Sequence, residues 1–295
     1  MASHIQKSIN SLKQDNNHGA GYLTEQALKI LRTAIIESAA LSINKLTGEV
    51  DSVADALINA RPGMVSIANY AIQFKEALDA VALKSRTPES LKKKGIIIAE
   101  SLFRYSEKSS QFTARNAVKL IGRHNIVMTC SYSSAVCNTL KRARHNGIDF
   151  KVLVVESDHN KISYGEMTAN ELKKSGIIYR LVPDSQIRWQ MARADIVLTG
   201  ADAVSLHGWI INGTPSLELV QIARRRRKPI YSICEIAKFD VRGFLTGTRE
   251  SEPGFDAVPL ELFGGIVTEA GFLKTDDILA FTINDLFRSQ RVKPG

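Results

Sequence analysis

NIVMTCSYSSAVCNTLKRARHNGIDFKVLVVES, Asn125 to Ser157, decides how the second half of this chain folds. Two short runs rich in Val, Ile and Leu, NIVMTCS and DFKVLVVES, enclose a helix-length segment that ends in Asn-Gly. Apolar runs of this length suit strands buried on both faces, and a helix between them makes their pairing parallel. The alternation continues through GEMTANELKKSG, IIYRLVP, SQIRWQMARA, DIVLTG, a loop, PSLELVQIARRRR and PIYSICE. Five strand candidates joined by four helical crossovers predict a Rossmann-like parallel sheet covered on both faces. Gly147 and Gly176 stand where helix C-terminal caps belong, and Ser133 and Thr214 are candidate N-caps. No G-x-G-x-x-G follows the first strand, so this architecture does not by itself imply a dinucleotide.

Upstream the period changes. From Tyr22 to about Ser42, Leu23, Ala27, Leu31, Ala34, Ile35 and Ser38 recur at spacings of three and four, which predicts an amphipathic helix. Further helices are predicted over Val50 to Ile58, Met64 to Ala82, Ser85 to about Tyr105 and Ser109 to Gly122. The expected fold class is therefore α/β. An all-helical N-terminal domain, residues 1–120, precedes a Rossmann-like ligand-binding domain, residues 121–295, with the boundary between Lys119 and Asn125. The Gly-, Pro- and acid-rich stretch Thr246 to Pro259 reads as a loop, followed by a final strand in GGIVTE and a closing helix from about Thr275.

The net charge of +9 favours anionic partners: phosphorylated ligands, acidic proteins or nucleic acid. No stretch approaches ~18 uninterrupted apolar residues, and the first residues lack the apolar middle of a signal peptide. The expectation is a cytoplasmic protein without a membrane partner. Cys130, Cys137 and Cys234 have no C-x-x-C spacing, which argues against a disulfide framework or zinc site, and neither a metal nor a cofactor is expected.

In a parallel sheet the ligand crevice lies beyond the carboxyl ends of the strands. Those ends are polar here: Thr129 to Ser134, Glu156-Ser157-Asp158, Gly200-Ala201-Asp202 and Cys234-Glu235. Asp202 and the Asn212 to Ser216 segment are expected to face Ser131, Ser133 and Ser134 across one crevice. SYSSA and GTPS each offer hydroxyls and N–H groups at a helix start, and two such termini could hold one phosphorylated ligand, although each could equally be a simple cap. Arg224 to Arg227 reads as the solvated last turn of a helix rather than a nucleic-acid site. His18, ahead of Gly19-Ala20-Gly21, is a loop histidine that could meet a ligand phosphate.

In order and spacing, these motifs resemble a known family. It joins the alpha, beta and delta subunits of eukaryotic initiation factor 2B to methylthioribose-1-phosphate isomerase and archaeal ribose-1,5-bisphosphate isomerase. The carriers are HGAG at His18, ARPGMVSIAN at Ala60, IVMTCSYSSAV at Ile126, VVES at Val154, TGADAV at Thr199, Ile211-Asn212, KPIYSICE, and IVTEAG around Thr268. The resemblance implies a helical N-terminal domain, a Rossmann-like C-terminal domain, and a homodimer or assembly with related subunits. It also implies binding at His18, Gly19, Ala20, Arg61, Ser133, Ser134, Glu156, Asn212 and Gly213.

In the family's isomerases a Cys and the Asp of the Gly-Ala-Asp motif form an acid and base pair. Asp202 matches that Asp, whereas Ser131 stands at the Cys position and Cys130 lies one residue earlier. A hydroxyl is a far weaker acid than a thiol, and neighbours along a strand point to opposite faces, so Cys130 does not simply inherit the role. The family's Lys after the Asn is Gly213, the Arg before Gly-Ala is His18, and its Arg-Pro after the second strand is Asp158-His159; Arg61 is retained. The hydroxyl-rich CSYSSAV is closer to the initiation factor 2B subunits. That implies a pocket for a sugar phosphate or nucleotide and a regulatory or assembly role alongside initiation factor 2, with isomerase chemistry as the alternative.

Overall fold

The structure is a computed structural model of the chain and describes residues 2–15, 18–243 and 253–280. Packing divides the chain into two compact units, one formed by residues up to Lys108, the other beginning at Ser109.

The first unit is helical: α1 (Ser3–Gln14), α2 (Ala20–Glu37), α3 (Ile43–Ile58), α4 (Val65–Ala82) and most of α5 (Pro88–Ala117). Helix α1 was not among the predicted elements because its start reads as polar, yet Ile5, Ile9 and Leu12 form a buried stripe at spacings of four and three. Helix α2 buries Leu23, Ala27, Leu31, Ala34 and Ile35 as predicted but stops at Glu37, leaving Ser38 outside it and only half-buried; Ser42 caps α3 instead, accepting from the Lys45 amide, so α3 begins well before Val50. The segments expected at Ser85 and Ser109 are one helix, since Ser106 to Ser110 contains weak helix formers but no Gly or Pro to break it. Leu31, Leu46, Leu57, Phe74 and Leu91 are sealed from solvent in this unit.

The division between units falls within α5, earlier than the change of pattern near residue 120. The end of α5 belongs with the sheet for a physical reason: Asn116 Nδ2 donates to the Thr268 and Glu269 carbonyls, and Ala117 joins a core on the sheet.

The second unit alternates as expected: β1 (Ile126–Thr129), α6 (Ser134–His145), β2 (Lys151–Val155), the short β3 (Asp158–His159) and β4 (Ile162–Ser163), α7 (Tyr164–Lys174), β5 (Ile178–Val182), α8 (Ile187–Gln190) and β6 (Ile196–Thr199). It continues with β7 (Ala203–Ser205), β8 (Trp209–Gly213), α9 (Ser216–Arg225), β9 (Ile230–Ile233), β10 (Phe239–Asp240), β11 (Phe255–Pro259), β12 (Ile266–Thr268), β13 (Gly271–Leu273) and α10 (Thr275–Leu279). The main sheet runs β13-β12-β9-β6-β1-β2-β5, parallel except for β13 at the edge.

Successive side chains alternate between two cores. Val127, Val152, Val154, Ile196 and Leu198 pack on one face with Leu140 of α6 and Leu172 of α7. Met128, Leu153, Val155 and Val197 pack on the other with Ile187 of α8 and Leu219 of α9. A sheet covered on both faces is what its unbroken apolar runs require. Gly147 and Gly176, at φ of 74° and 63°, end α6 and α7 in the left-handed conformation that glycine adopts without strain.

A second sheet, β10-β7-β8-β11, was not predicted. Its strand β11 corrects the loop expected over Thr246 to Pro259: Phe255–Pro259 pairs antiparallel with the whole of β8, and residues 244–252 lie outside the described residues. Pairing with a distant strand left no local periodicity to read. Among the described residues, no helix is long and apolar enough to cross a membrane.

Candidate functional site

The chain places β2 and β5 on one side of β1 and β6, β9 and β12 on the other, so strand order reverses between β1 and β6. Ligand crevices of doubly wound sheets open at this reversal, beyond the strand ends. At the exit of β1, Ser131 has φ of 58°, and at the exit of β2, Ser157 has φ of 55°. Non-glycine residues hold this conformation only where their surroundings fix it. Here the Ser131 amide donates to Ser157 Oγ at 2.7 Å and the Ser131 carbonyl accepts from Thr168 Oγ1 at 2.8 Å.

The exit of β6 explains the loop that interrupts the alternation. Chain leaving Thr199 passes through Gly200 and Asp202, then folds into the β7–β8 hairpin, which brings Asn212 and Gly213 back; the Asp202 amide donates to the Ile211 carbonyl at 2.8 Å. A Cβ on Gly200 would collide with Ser133 Oγ, stand 2.6 Å from Ser133 Cβ and 3.4 Å from Asn212 Oδ1. A Cβ on Gly213 would collide with Ser131 Oγ and stand 3.1 Å from Ser131 Cβ. Ser131, Ser133, Gly200, Asn212 and Gly213 are therefore brought together, with Asp202 half-buried two residues beyond Gly200. Asn212 Nδ2 donates to Ser216 Oγ at 2.7 Å, and that hydroxyl donates to the Gly213 carbonyl at 2.6 Å.

Cys130 is not part of this surface. It continues the face of Met128 into the core, with no exposure, and its sulfur lies 3.3 Å from Ser216 Oγ. Burial pushes its thiol up to about 12, so it stays protonated at neutral pH. Cys137 is buried on α6, with its thiol pushed up to about 11 by the same cause.

Of the two helix N-termini expected to hold a phosphate, only one remains open. Ser133 caps α6 by accepting from the Val136 amide at 3.3 Å, and Ser134 opens the helix. Thr214 does not cap α9. Asp256, from β11, takes that place: its Oδ2 accepts from the Leu217 amide at 2.9 Å and its Oδ1 accepts from the Thr214 hydroxyl at 3.1 Å. A carboxylate already at this terminus satisfies its dipole and repels a second anion. Glu156, at the exit of β2, has its carboxyl raised by burial and by the charges of Asp158, Asp184 and Glu166. Such surroundings suit a ligand hydroxyl better than a phosphate.

Lys238 lies outside the expected site residues. It is 5% exposed, donates from Nζ to the Ala201 carbonyl at 2.6 Å, and stands 3.9 Å from Glu235 Oε2. A buried ammonium thus adjoins the peptide that leads into Asp202. Its signal was a lysine enclosed by apolar residues in ICEIAKFD. Among the described residues, no group of three or more His, Cys, Asp or Glu side chains is placed to hold a metal ion.

His18, Gly19, Ala20 and Arg61 belong to the helical unit. His18 Nδ1 pairs with Asp15 Oδ2 at 2.8 Å and its ring stacks on Tyr22 at 4.0 Å. Gly19 is the N-cap residue of α2 and Ala20 its buried first residue. Arg61 Nη1 donates to the carbonyls of Lys13 and Asp15 at the end of α1, where a cation also suits the helix dipole. The Arg224 to Arg227 run is exposed at the end of α9, as a solvated last turn requires.

Comparison with known proteins gives two kinds of name. The ribose 1,5-bisphosphate isomerase of Methanocaldococcus jannaschii is 24% identical over 290 residues, covering 91% of each chain. A putative translation initiation factor eIF-2B subunit 2-like protein of Pyrococcus furiosus is 24% identical over 283 residues, covering 91% of this chain and 96% of its own. A crystal structure of the Pyrococcus horikoshii translation initiation factor eIF-2B has the same fold, with a TM-score of 0.79 at 22% identity over 93% of this chain and 98% of that one. The model of the initiation factor 2 subunit family matches residues 16–248, and the chain belongs to that family.

Proposed function

We propose that this protein is an initiation factor 2B-like protein that binds a phosphorylated small molecule, a sugar phosphate or nucleotide, at the ends of β1, β6 and β8. Its role is regulatory or one of assembly in translation initiation, and it lacks efficient isomerase chemistry. The observation that carries the reading is the state of the thiol: the family's Cys position holds Ser131, and the neighbouring Cys130 lies in the core, protonated and bonded to Ser216. A serine hydroxyl is not an acid of useful strength at neutral pH. Ser131, Ser133, Asn212 and the amides opening α6 would bind the ligand, with Lys238 holding the Ala201 carbonyl beside them. A homodimer or assembly with related subunits, initiation factor 2 among the partners, and a cytoplasmic setting complete the proposal; nucleic acid is not a proposed partner.

The isomerase reading keeps two supports, the carboxylate of Asp202 at the family's catalytic position and the relatives named ribose 1,5-bisphosphate isomerase. The test is direct. Purified protein is incubated with ribose 1,5-bisphosphate or methylthioribose 1-phosphate, and ketose product is sought by nuclear magnetic resonance. No turnover, with ligand-induced thermal stabilisation, is expected; ketose formation that disappears in Asp202→Asn would transfer the protein to the enzymes.

A further inference from the structure

At the far side of the same sheet, one buried carboxylate governs the turn on which Lys238 stands. Strand β12 ends in Thr268, and the next residue, Glu269, turns its side chain toward the exit of β9. Glu269 Oε2 accepts from the Ile236 amide at 2.9 Å and from the Thr113 hydroxyl at 3.5 Å. Ile236 opens the single turn Ile236–Lys238, and Lys238 at its end reaches the Ala201 carbonyl. Glu269 is held from behind by its own backbone, whose carbonyl accepts from Asn116 Nδ2 at 3.1 Å. The other carboxylate oxygen, Oε1, is buried without a hydrogen-bond partner among the described residues.

We propose that Glu269 is a positioning residue for Lys238, a pH-sensitive clamp whose hold on the turn Ile236–Lys238 changes as the carboxyl gains or loses its proton. An ionised carboxylate is the stronger acceptor for the Ile236 amide, so deprotonation tightens the clamp. The same deprotonation leaves a buried charge with one oxygen unpaired, which resists it.

The surroundings set where the change occurs. Helix α5 presents the uncharged Ser109, Thr113 and Asn116; the exit of β9 presents the charge of Glu235 and the buried thiol of Cys234, which burial keeps neutral; the turn presents Lys238, whose ammonium is engaged by Ala201 and Glu235. Burial, the largest cause, outweighs the hydrogen bond from the Ile236 amide and, with the like charge of Glu235, raises the Glu269 carboxyl to about 7. The clamp is thus poised to switch in the neutral range, and Lys238, beside the peptide leading into Asp202, is what it moves.

The inference stands apart from the ligand reading, because its test uses none. Amide resonances of the full, isotope-labelled chain are followed from about pH 5.5 to about pH 8.5. The Ile236 amide proton should move downfield with a midpoint near neutrality, the Lys238 amide should follow the same curve, and both movements should be lost in Glu269→Gln. In Lys238→Met the Ile236 titration should persist, because the clamp precedes the lysine. A flat Ile236 resonance, or an unchanged titration in Glu269→Gln, overturns the proposal. Should Glu269→Gln not fold, the carboxyl carbon of Glu269 in the unaltered protein decides: titration in the ordinary acid range overturns the clamp, and titration near neutrality together with Ile236 supports it.

Discussion

Where β1 and β6 end, Ser131, Ser133 and Asn212 lie against the backbone of Gly200 and Gly213; where β9 and β12 end, Lys238, Glu235 and Glu269 gather around one turn. The first edge is fitted by volume, with hydroxyls and an amide carrying its contacts. The second is fitted by charge, with buried ions that lack full compensation. The two edges should therefore respond to different perturbations: added atoms should hurt the first, and pH should move the second.

Cys130, in the core behind the first edge, offers the largest effect. A thiol pushed up from about 9 to about 12 holds roughly a thousandfold less thiolate at mildly alkaline pH than an ordinary one. Iodoacetamide should leave Cys130 unmodified in the native protein and label it in denaturant, as read by peptide mass mapping. Prompt native labelling of Cys130 at pH 8 would place an available thiol at this edge and revive the isomerase reading.

The charged edge should dominate the dependence of stability on pH. Glu269 has a folded-state value, about 7, above the ordinary 4.5 of the unfolded chain, so the native protein holds its proton more tightly. The corresponding stability is fully present below about pH 4.5, declines as pH rises toward 7, and is absent above it. The span is on the order of 3 kcal/mol. Urea unfolding at pH 5.5 and pH 8 should show about 2 kcal/mol of this loss in the unaltered protein and little of it in Glu269→Gln, a neutral stand-in for the protonated acid. An equal loss in both would sever the pH response from this residue.

At the uncharged edge, Gly200→Ala should cost about 2 kcal/mol, since Ser133 occupies the space a methyl group needs. Its urea midpoint should fall at both pH 5.5 and pH 8, because the clash with the Ser133 side chain is steric and does not itself titrate. A pH-dependent penalty would mean that the two edges are coupled.

How much of this was legible follows from the range of each interaction. The buried strands showed themselves as apolar runs, and the helix ends at Gly147 and Gly176 as glycines, because both signals are local in sequence. Ser133 was legible as a cap for the same reason. Thr214 was misread because its competitor, Asp256, arrives from β11 across the second sheet. Lys238 and Glu269 were passed over as site residues because a carboxylate and a lysine look alike in sequence whether buried or solvated; only pairing of β9 with β12 places them at one turn. Helix α1 was missed because three apolar residues among twelve are too few to outweigh polar composition until a partner covers them.

The smallest effect tests why the first edge is strained at all. Ser131 holds φ of 58°, a conformation that costs a serine about 1 kcal/mol and a glycine almost nothing. The backbone contacts fixing it, from the Ser131 amide to Ser157 and from Thr168 to the Ser131 carbonyl, do not need the side chain. Ser131→Gly should therefore hold or raise stability, by up to about 1 kcal/mol after the added freedom of the unfolded chain is offset. It should also remove the obstacle that Gly213→Ala meets, so that the double variant is more stable than the two single changes predict, as read from urea midpoints. A residue that stabilises the fold when deleted is kept for what its hydroxyl does in the crevice. If Ser131→Gly instead destabilises the protein by more than about 1 kcal/mol, the hydroxyl is structural, and the volume-fitted edge owes its serine to packing rather than to a ligand.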